Sequence, residues 1–252
     1  MKKKMHKLSA VFWDVDGTIA DTEICGHRVA FNLAFKDFDL EWYWNKNTYI
    51  DLLKISGGLK RIIHYRNQTH SKLSDEQCSK IQSRKRIHYK EIIKAGKINI
   101  RKGVLRLIEE LSSFDVEQII VTTSGRDSLE PILKTSLNTH LNFFSKIITY
   151  EDVRNHKPFP DAYKLAIQLT NKSHLNCIAI EDSMIGVQAA KAAKLNCLLT
   201  LPPWSYDIQK ISQKANACVD SLGNDNYDSK LIYGRPLTSK YVDYKYLSNI
   251  IN

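Results

Sequence analysis

The sequence predicts an α/β fold: a parallel β-sheet with helices on both faces, carrying one all-helical insertion. Short apolar runs of strand length recur along the chain, with helical patterns between several of them. The stretch between the first two runs, Thr22 to Ile98, holds no convincing strand. The first run also ends on a pair of acids, Asp14 and Asp16, at the strand end where ligands bind in open α/β sheets.

Taken in order, Ala10-Val11-Phe12-Trp13 is an uninterrupted apolar run and predicts a buried strand. The insertion spans 22–98, between core segments 1–21 and 99–252. It reads as several helices, including the aromatic stretch Trp42-Tyr43-Trp44 and a long polar helix from Ser74 to Ala95. Gly57-Gly58 marks a bend or a close backbone approach. An insertion placed directly after the acidic loop is expected to cover it as a lid, excluding water and choosing substrates. Strands are then expected at Ile119–Val121, Phe144–Ile148, Ile178–Ile180, Leu198–Leu201 and Ala217–Val219. Helices are expected at Val104–Leu111, Leu129–Leu137, Asp161–Leu169 and Met184–Leu195. Beyond Ser221 the pattern fades, and Val242–Ile251 is expected to form a closing strand or helix.

Composition narrows the class. With 252 residues, 43% hydrophobic and 25% charged, the chain suits one large domain or two modest ones of a soluble globular protein. No apolar run is long enough to span a bilayer. The apolar segment after the basic N-terminus contains Asp14 and Asp16, which excludes a signal-peptide core. A cytoplasmic protein, or one of a plastid stroma, is therefore expected, monomeric and with small molecules rather than membranes as partners. Cys25, Cys78, Cys177, Cys197 and Cys218 form no CxxC pair, so reduced structural thiols are expected rather than zinc ligands. The charge of +10 comes from dispersed lysines, which argues against nucleic acid and for a field that attracts anionic small molecules.

The chemistry lies at the strand ends. In extended chain residues i and i+2 share a face, so the carboxylates of Asp14 and Asp16 point the same way where Gly17 lets the backbone turn. Two adjacent carboxylates repel unless a cation lies between them or one keeps a proton, an arrangement suited to metal-assisted phosphoryl transfer. After Val121 come Thr122, Thr123, Ser124 and Gly125, hydroxyls and N–H groups near a helix start that make a phosphate cradle. After Ile180 come Glu181 and Asp182, a second acidic pair. Lys157 stands in His156-Lys157-Pro158-Phe159-Pro160-Asp161, between rigidifying prolines.

These four parts, in this order, resemble the haloacid dehalogenase (HAD) superfamily of phosphotransferases, from about Leu8 to Leu222. Its DxDGT motif is Asp14-Val15-Asp16-Gly17-Thr18. Its hydroxyl motif maps to Thr122, its lysine motif to Lys157 and its acidic motif to Glu181-Asp182. The resemblance implies a Rossmann-like core with a helical cap. It also implies Asp14 as nucleophile forming an aspartyl phosphate, and Asp16 as the acid and base. Mg2+ would be held by Asp14, the Asp16 carbonyl and Asp182, with Glu181 joining them or else orienting Lys157. Thr122 and Lys157 would stabilise the phosphoryl oxygens.

A cap in this position is that of the phosphoglucomutase-like branch. Within it, Asp21-Thr22-Glu23-Ile24-Cys25-Gly26-His27-Arg28, Trp42-Tyr43-Trp44, Tyr49 and Ser56-Gly57-Gly58 with Lys60-Arg61-Ile62 look like the CbbY group. That resemblance implies a phosphatase acting on xylulose-1,5-bisphosphate, an inhibitor of Rubisco. The distal phosphate would meet His27, Arg28, Lys60, Arg61 and the Gly57-Gly58 backbone, and Glu23 would accept from sugar hydroxyls. Trp42, Trp44 and Tyr49 are expected in the cap core rather than stacked on ligand. Two features depart from the pattern: Thr123-Ser124-Gly125-Arg126 replaces a run of threonines, and Lys194 stands where the family usually has glycine. A sugar phosphomutase of the same fold, and a non-catalytic regulatory or nucleic-acid-binding protein, are the alternatives.

Overall fold

The computed structural model describes residues 6–55, 57–202, 205 and 208–252. Ser56 and the basic Lys2, Lys3 and Lys4 lie outside them. The chain forms two compact units, one running through Ala20 and resuming at Ile100–Asn252, the other Asp21–Asn99.

The first unit carries the predicted α/β sheet. Its strands are β1 (Ala10–Trp13), β2 (Glu117–Val121), β3 (Lys146–Ile148), β4 (Cys177–Glu181), β5 (Asn196–Thr200), β6 (Ala217–Val219) and β7 (Leu231–Tyr233). They lie in the order β3-β2-β1-β4-β5-β6-β7, all neighbours parallel except β7, which runs antiparallel to β6. Register pairs Trp13 with Ile120 on one side and Ile180 on the other. The residues after β1 and β2 and the end of β4 are thereby brought level, where strand order switches direction. All four residues of β1 are buried, as expected for a central parallel strand.

The second unit is helical: α1 (Arg28–Asp37), α2 (Lys46–Leu52), α3 (Gly58–Gln68) and α4 (Asp75–Lys94). The long helix keeps its predicted extent because Ser74 and Gln77 close a capping box at its start, with Asp75 and Glu76 in the first turn and Lys94 in the last. Its buried positions 78, 81, 85, 88, 89 and 92 recur at helical spacing. A π-helical turn, Glu23–His27, leads directly into α1.

Trp42-Tyr43-Trp44 is not helical, contrary to expectation. Asn32 takes both main-chain groups of Trp44, accepting from its N–H at 2.8 Å and donating to its carbonyl at 3.0 Å, which fixes an extended loop. Half-buried Trp42 lies 5.2 Å from Tyr65, while Trp44 packs 4.6 Å from Phe31 and 4.8 Å from Phe35 and belongs to the core of this unit. Tyr49 is likewise fully buried.

The remaining helices of the first unit are α5 (Val104–Ser113), α6 (Arg126–Ile132), α7 (Asp161–Thr170), α8 (Met184–Ala192), α9 (Ile208–Ser212) and α10 (Tyr244–Ile250). The helix expected at Leu129–Leu137 divides into α6 and a π-helical turn at Leu133–Leu137. The strand expected from Phe144 begins two residues later, because a 3-10 turn occupies Asn138–Phe143. α8 stops at Ala192, and Lys194 takes a left-handed φ of 63°, the conformation that favours glycine at a helix end. Val242–Ile251 resolves as helix: Asp243 caps α10 by accepting from the Tyr246 N–H at 2.6 Å. β7 was not anticipated. All five cysteines are free thiols. Among the described residues, no helix is long and apolar enough to cross a membrane.

Candidate active site

Register decides which side chains meet. β1 and β4 are neighbours, and the Asp14 N–H donates to the Ile180 carbonyl at 3.1 Å, so the first acidic pair and the second end up side by side. Oxygen atoms from Asp14, Glu181 and Asp182 lie within 4.8 Å of one another. Gly17 permits this closeness. It has a φ of +85°, and a Cβ there would fall 2.0 Å from Asp182 Oδ2. Asp16 is not one of the three clustered acids, and its carboxylate accepts from the Ser124 hydroxyl at 2.5 Å.

Lys157 reaches into the cluster from the loop before α7. Its ammonium donates to Asp14 Oδ1 at 2.8 Å, to Glu181 Oε1 at 2.6 Å and to the Val121 carbonyl at 2.8 Å, with only 3% of the side chain exposed. The Tyr163 hydroxyl donates to the same Glu181 oxygen. Glu181 therefore orients Lys157, while its other oxygen, Oε2, is buried without a hydrogen-bond partner. That oxygen packs over Gly186, where a Cβ would fall 1.8 Å away. Thr122 is buried at the end of β2, and its hydroxyl accepts from the Ser124 N–H at 3.0 Å. Thr123 is exposed. Arg126 pairs with Asp152 at 2.5 Å rather than standing free for an anion.

The electrostatics show a site short of positive charge. Burial pushes Asp14 up to about 7 against the pull of Lys157, with Glu181 and Asp16 adding to the rise. Burial, then Asp14 and Glu181, hold Asp182 well above the usual carboxylate range. Burial works against the charge on Lys157, but Asp14 and Glu181 outweigh it and raise its proton affinity. Three crowded carboxylates with one ammonium among them, offering only hard oxygen donors, fit a divalent cation of the oxygen-preferring kind.

The expected substrate-contact residues of the helical unit do not form one cluster. Glu23, Tyr49 and Arg61 form a chain: the Tyr49 hydroxyl donates to Glu23 at 2.5 Å, and Arg61 lies 3.3 Å from that hydroxyl and 3.9 Å from Glu23. Lys60 is exposed, and Gly57, with a φ of 95°, precedes the first turn of α3, which Gly58 begins. His27 is not positively charged. Burial, then the charges of Lys85 and Arg61, drive its pKa well below the ordinary value. The Lys85 ammonium donates to its Nδ1 at 2.7 Å, so the ring is neutral and carries its proton on Nε2. Arg28 lies on another face of α1. It donates to the Trp44 carbonyl at 3.3 Å and lines a cavity of about 560 Å³ with Asn32, Lys36 and Trp42.

Sequence reasoning missed Tyr163 and Lys85. Tyr163 follows Lys157 by six positions on α7, a spacing that carries no recognisable signal. Lys85 occupies an apolar position in the repeat of α4, which is a signal in hindsight.

Comparison with known proteins agrees with this geometry. The family model for haloacid dehalogenase-like hydrolases matches residues 11–200. Protein CbbY of Rhodobacter capsulatus is 34% identical over 195 residues, covering 77% of this chain and 86% of that protein. The plasmid CbbY of Cupriavidus necator is 32% identical over 223 residues, covering 86% and 87%. The crystal structure of CbbY from Rhodobacter sphaeroides in complex with phosphate superposes with a TM-score of 0.71 at 28% identity, covering 85% of this chain and 94% of that one. A variant of that protein, solved in complex with xylulose-(1,5)bisphosphate, gives a TM-score of 0.70. The chain belongs to the haloacid dehalogenase-like hydrolase family, as a phosphatase related to the CbbY proteins.

Proposed function

We propose that this protein is a Mg2+-dependent sugar-phosphate phosphatase that works through an aspartyl phosphate, with xylulose-1,5-bisphosphate as its substrate. One observation carries the reading: Asp14, at the end of the central strand, shares its surroundings with two further carboxylates and a buried lysine. The bisphosphate bound by the Rhodobacter sphaeroides relative supports the choice of substrate.

Asp14 attacks phosphorus in line, and the bond to the sugar oxygen breaks as the bond to Asp14 forms. Asp16 gives its proton to the departing oxygen. In the second half, Asp16 takes a proton from the water that attacks phosphorus, releasing inorganic phosphate and regenerating Asp14. Ser124, bonded to Asp16, directs that carboxyl. Lys157 and the Thr122 hydroxyl balance the charge that spreads over the phosphoryl oxygens. Asp14, Asp182 and the Asp16 carbonyl would hold Mg2+, which supplies further neutralisation of that charge. Glu181 keeps Lys157 aimed at Asp14.

The test is a panel of sugar phosphates assayed with and without EDTA. Stoichiometric phosphate release from xylulose-1,5-bisphosphate, lost in EDTA and restored by Mg2+, is the expected result. An isomerised monophosphate would establish a mutase instead. Absent turnover across the panel would remove the reading.

A further inference from the structure

Arg101 belongs to none of the motifs discussed so far, yet its side chain touches the acidic loop directly. Its two Nη groups donate to four backbone carbonyls: Gly17 at 2.5 Å, Thr200 at 2.9 Å, Leu201 at 2.8 Å and Asp220 at 3.1 Å. These acceptors come from three segments, the turn after β1 and the ends of β5 and β6. The Arg101 main chain also holds the loop, its N–H donating to the Ile19 carbonyl at 2.9 Å, while Ile100 bridges Ala20. Only a planar, rigid fork spans such a set.

What the fork holds matters for Asp182. The Gly17 turn, closed by a 2.8 Å bond from its N–H to the Ala20 carbonyl, lies flat against the Asp182 carboxylate. A Cβ on Gly17 would fall inside that carboxyl group, so any displacement of the turn displaces Asp182 or opens a gap beside it. Arg101 and Lys157 are also the two positive charges that oppose the crowding of acids on Asp182.

We propose that Arg101 is a positioning residue that fixes the Gly17 turn, and through it Asp182, where Asp182 and Asp14 can share one divalent ion. The proposal rests on the reading of Asp182 as an ion ligand. It adds a second layer to that site, built from a guanidinium, a donor-only group that cannot itself ligate a cation. Outer residues that orient metal ligands are worth about 10- to 100-fold in metal affinity.

Arg106 provides the control. It too donates to backbone carbonyls, of Gly223 at 3.2 Å, Leu222 at 3.3 Å and Val242 at 2.5 Å, and all of these lie in the C-terminal segment. The experiment is calorimetric titration of Mg2+ into the whole protein, with thermal melts alongside, for the parent and for Arg101→Gln, Arg101→Lys and Arg106→Gln. Arg101→Gln should weaken Mg2+ binding about tenfold. Arg101→Lys, which keeps the charge but cannot span four carbonyls, should fall between it and the parent. Arg106→Gln should melt earlier and bind Mg2+ as the parent does. Parent-like binding in Arg101→Gln would overturn the proposal. So would full recovery in Arg101→Lys, which also decides the matter if Arg101→Gln does not fold. Equal weakening in Arg106→Gln would reduce the effect to general stability and overturn it as well. A parent that binds no Mg2+ would instead bring down the underlying reading of the acidic cluster, and this proposal with it.

Discussion

Replacing Lys157 with methionine keeps an unbranched side chain, one atom shorter, and removes its charge. The ammonium sits between Asp14 at 2.8 Å and Glu181 at 2.6 Å, and all three side chains are buried. Its loss leaves two carboxylates facing each other with no cation. Removing one partner of a buried ion pair costs about 3–5 kcal/mol. Asp14 already titrates at about 7 and can keep a proton, which relieves part of the repulsion. The lower end, about 3 kcal/mol, is therefore the expected loss, equivalent to a fall in Tm on the order of 6–12 °C for a unit of this size. Turnover should drop by about 10²- to 10³-fold, the usual effect of losing one donor that stabilises charge in the transition state. Thermal melts without divalent ions read the first number, and phosphate release at saturating Mg2+ reads the second. Both must fall. A variant that melts like the parent, or works like it, refutes the claim that this one ammonium serves both the packing of the acids and the reaction.

Other consequences follow from single contacts. Gly186→Ala puts a methyl group 1.8 Å from Glu181 Oε2, so Glu181 must move and release Lys157; kcat should fall by about tenfold or more, and an unchanged kcat would show that Glu181 does not aim the lysine. Lys194→Gly relieves a left-handed residue at the end of α8 and should stabilise by about 0.5–1 kcal/mol, seen as a higher Tm with activity unchanged. His27 is neutral in the fold, whereas in the unfolded chain it gains its proton near pH 6.5. Its stability contribution is therefore present above that pH and is lost as pH falls toward the lower folded value. His27→Gln should flatten this part of the acid-denaturation curve, followed by tryptophan fluorescence; an unaltered slope would contradict the buried, neutral ring.

Where one local rule sufficed, the structure could be anticipated. Buried strands are continuous apolar runs, so β1, β2, β4, β5 and β6 stood out, and the ends of β1, β2 and β4 named the acids and hydroxyls that meet there. The long polar helix was legible from Ser74 to Ala95, and the capping box that the structure shows at Ser74 and Gln77, a local device, fixes its start there. The aromatic loop was misread because the Asn32 side chain replaces the helix bonds of Trp44, a contact twelve residues away in sequence. β7 is a short, half-exposed edge strand defined by its pairing with β6, and no local pattern announces it. His27 was expected to meet a phosphate, and its protonation could not be read from the sequence because Lys85, which holds it neutral, is distant in the chain. Arg101 was silent because its partners are backbone carbonyls, which every sequence has.

The account stands or falls on Asp14 carrying the phosphoryl group. Rapid acid quench of the Asp16→Ala variant during turnover, followed by peptide mass spectrometry, measures this directly. The account predicts a phosphoryl adduct on the peptide bearing Asp14, absent in EDTA and absent when Asp14 is also replaced by asparagine. Substrate turnover without that adduct, or an adduct that survives Asp14→Asn, would contradict it.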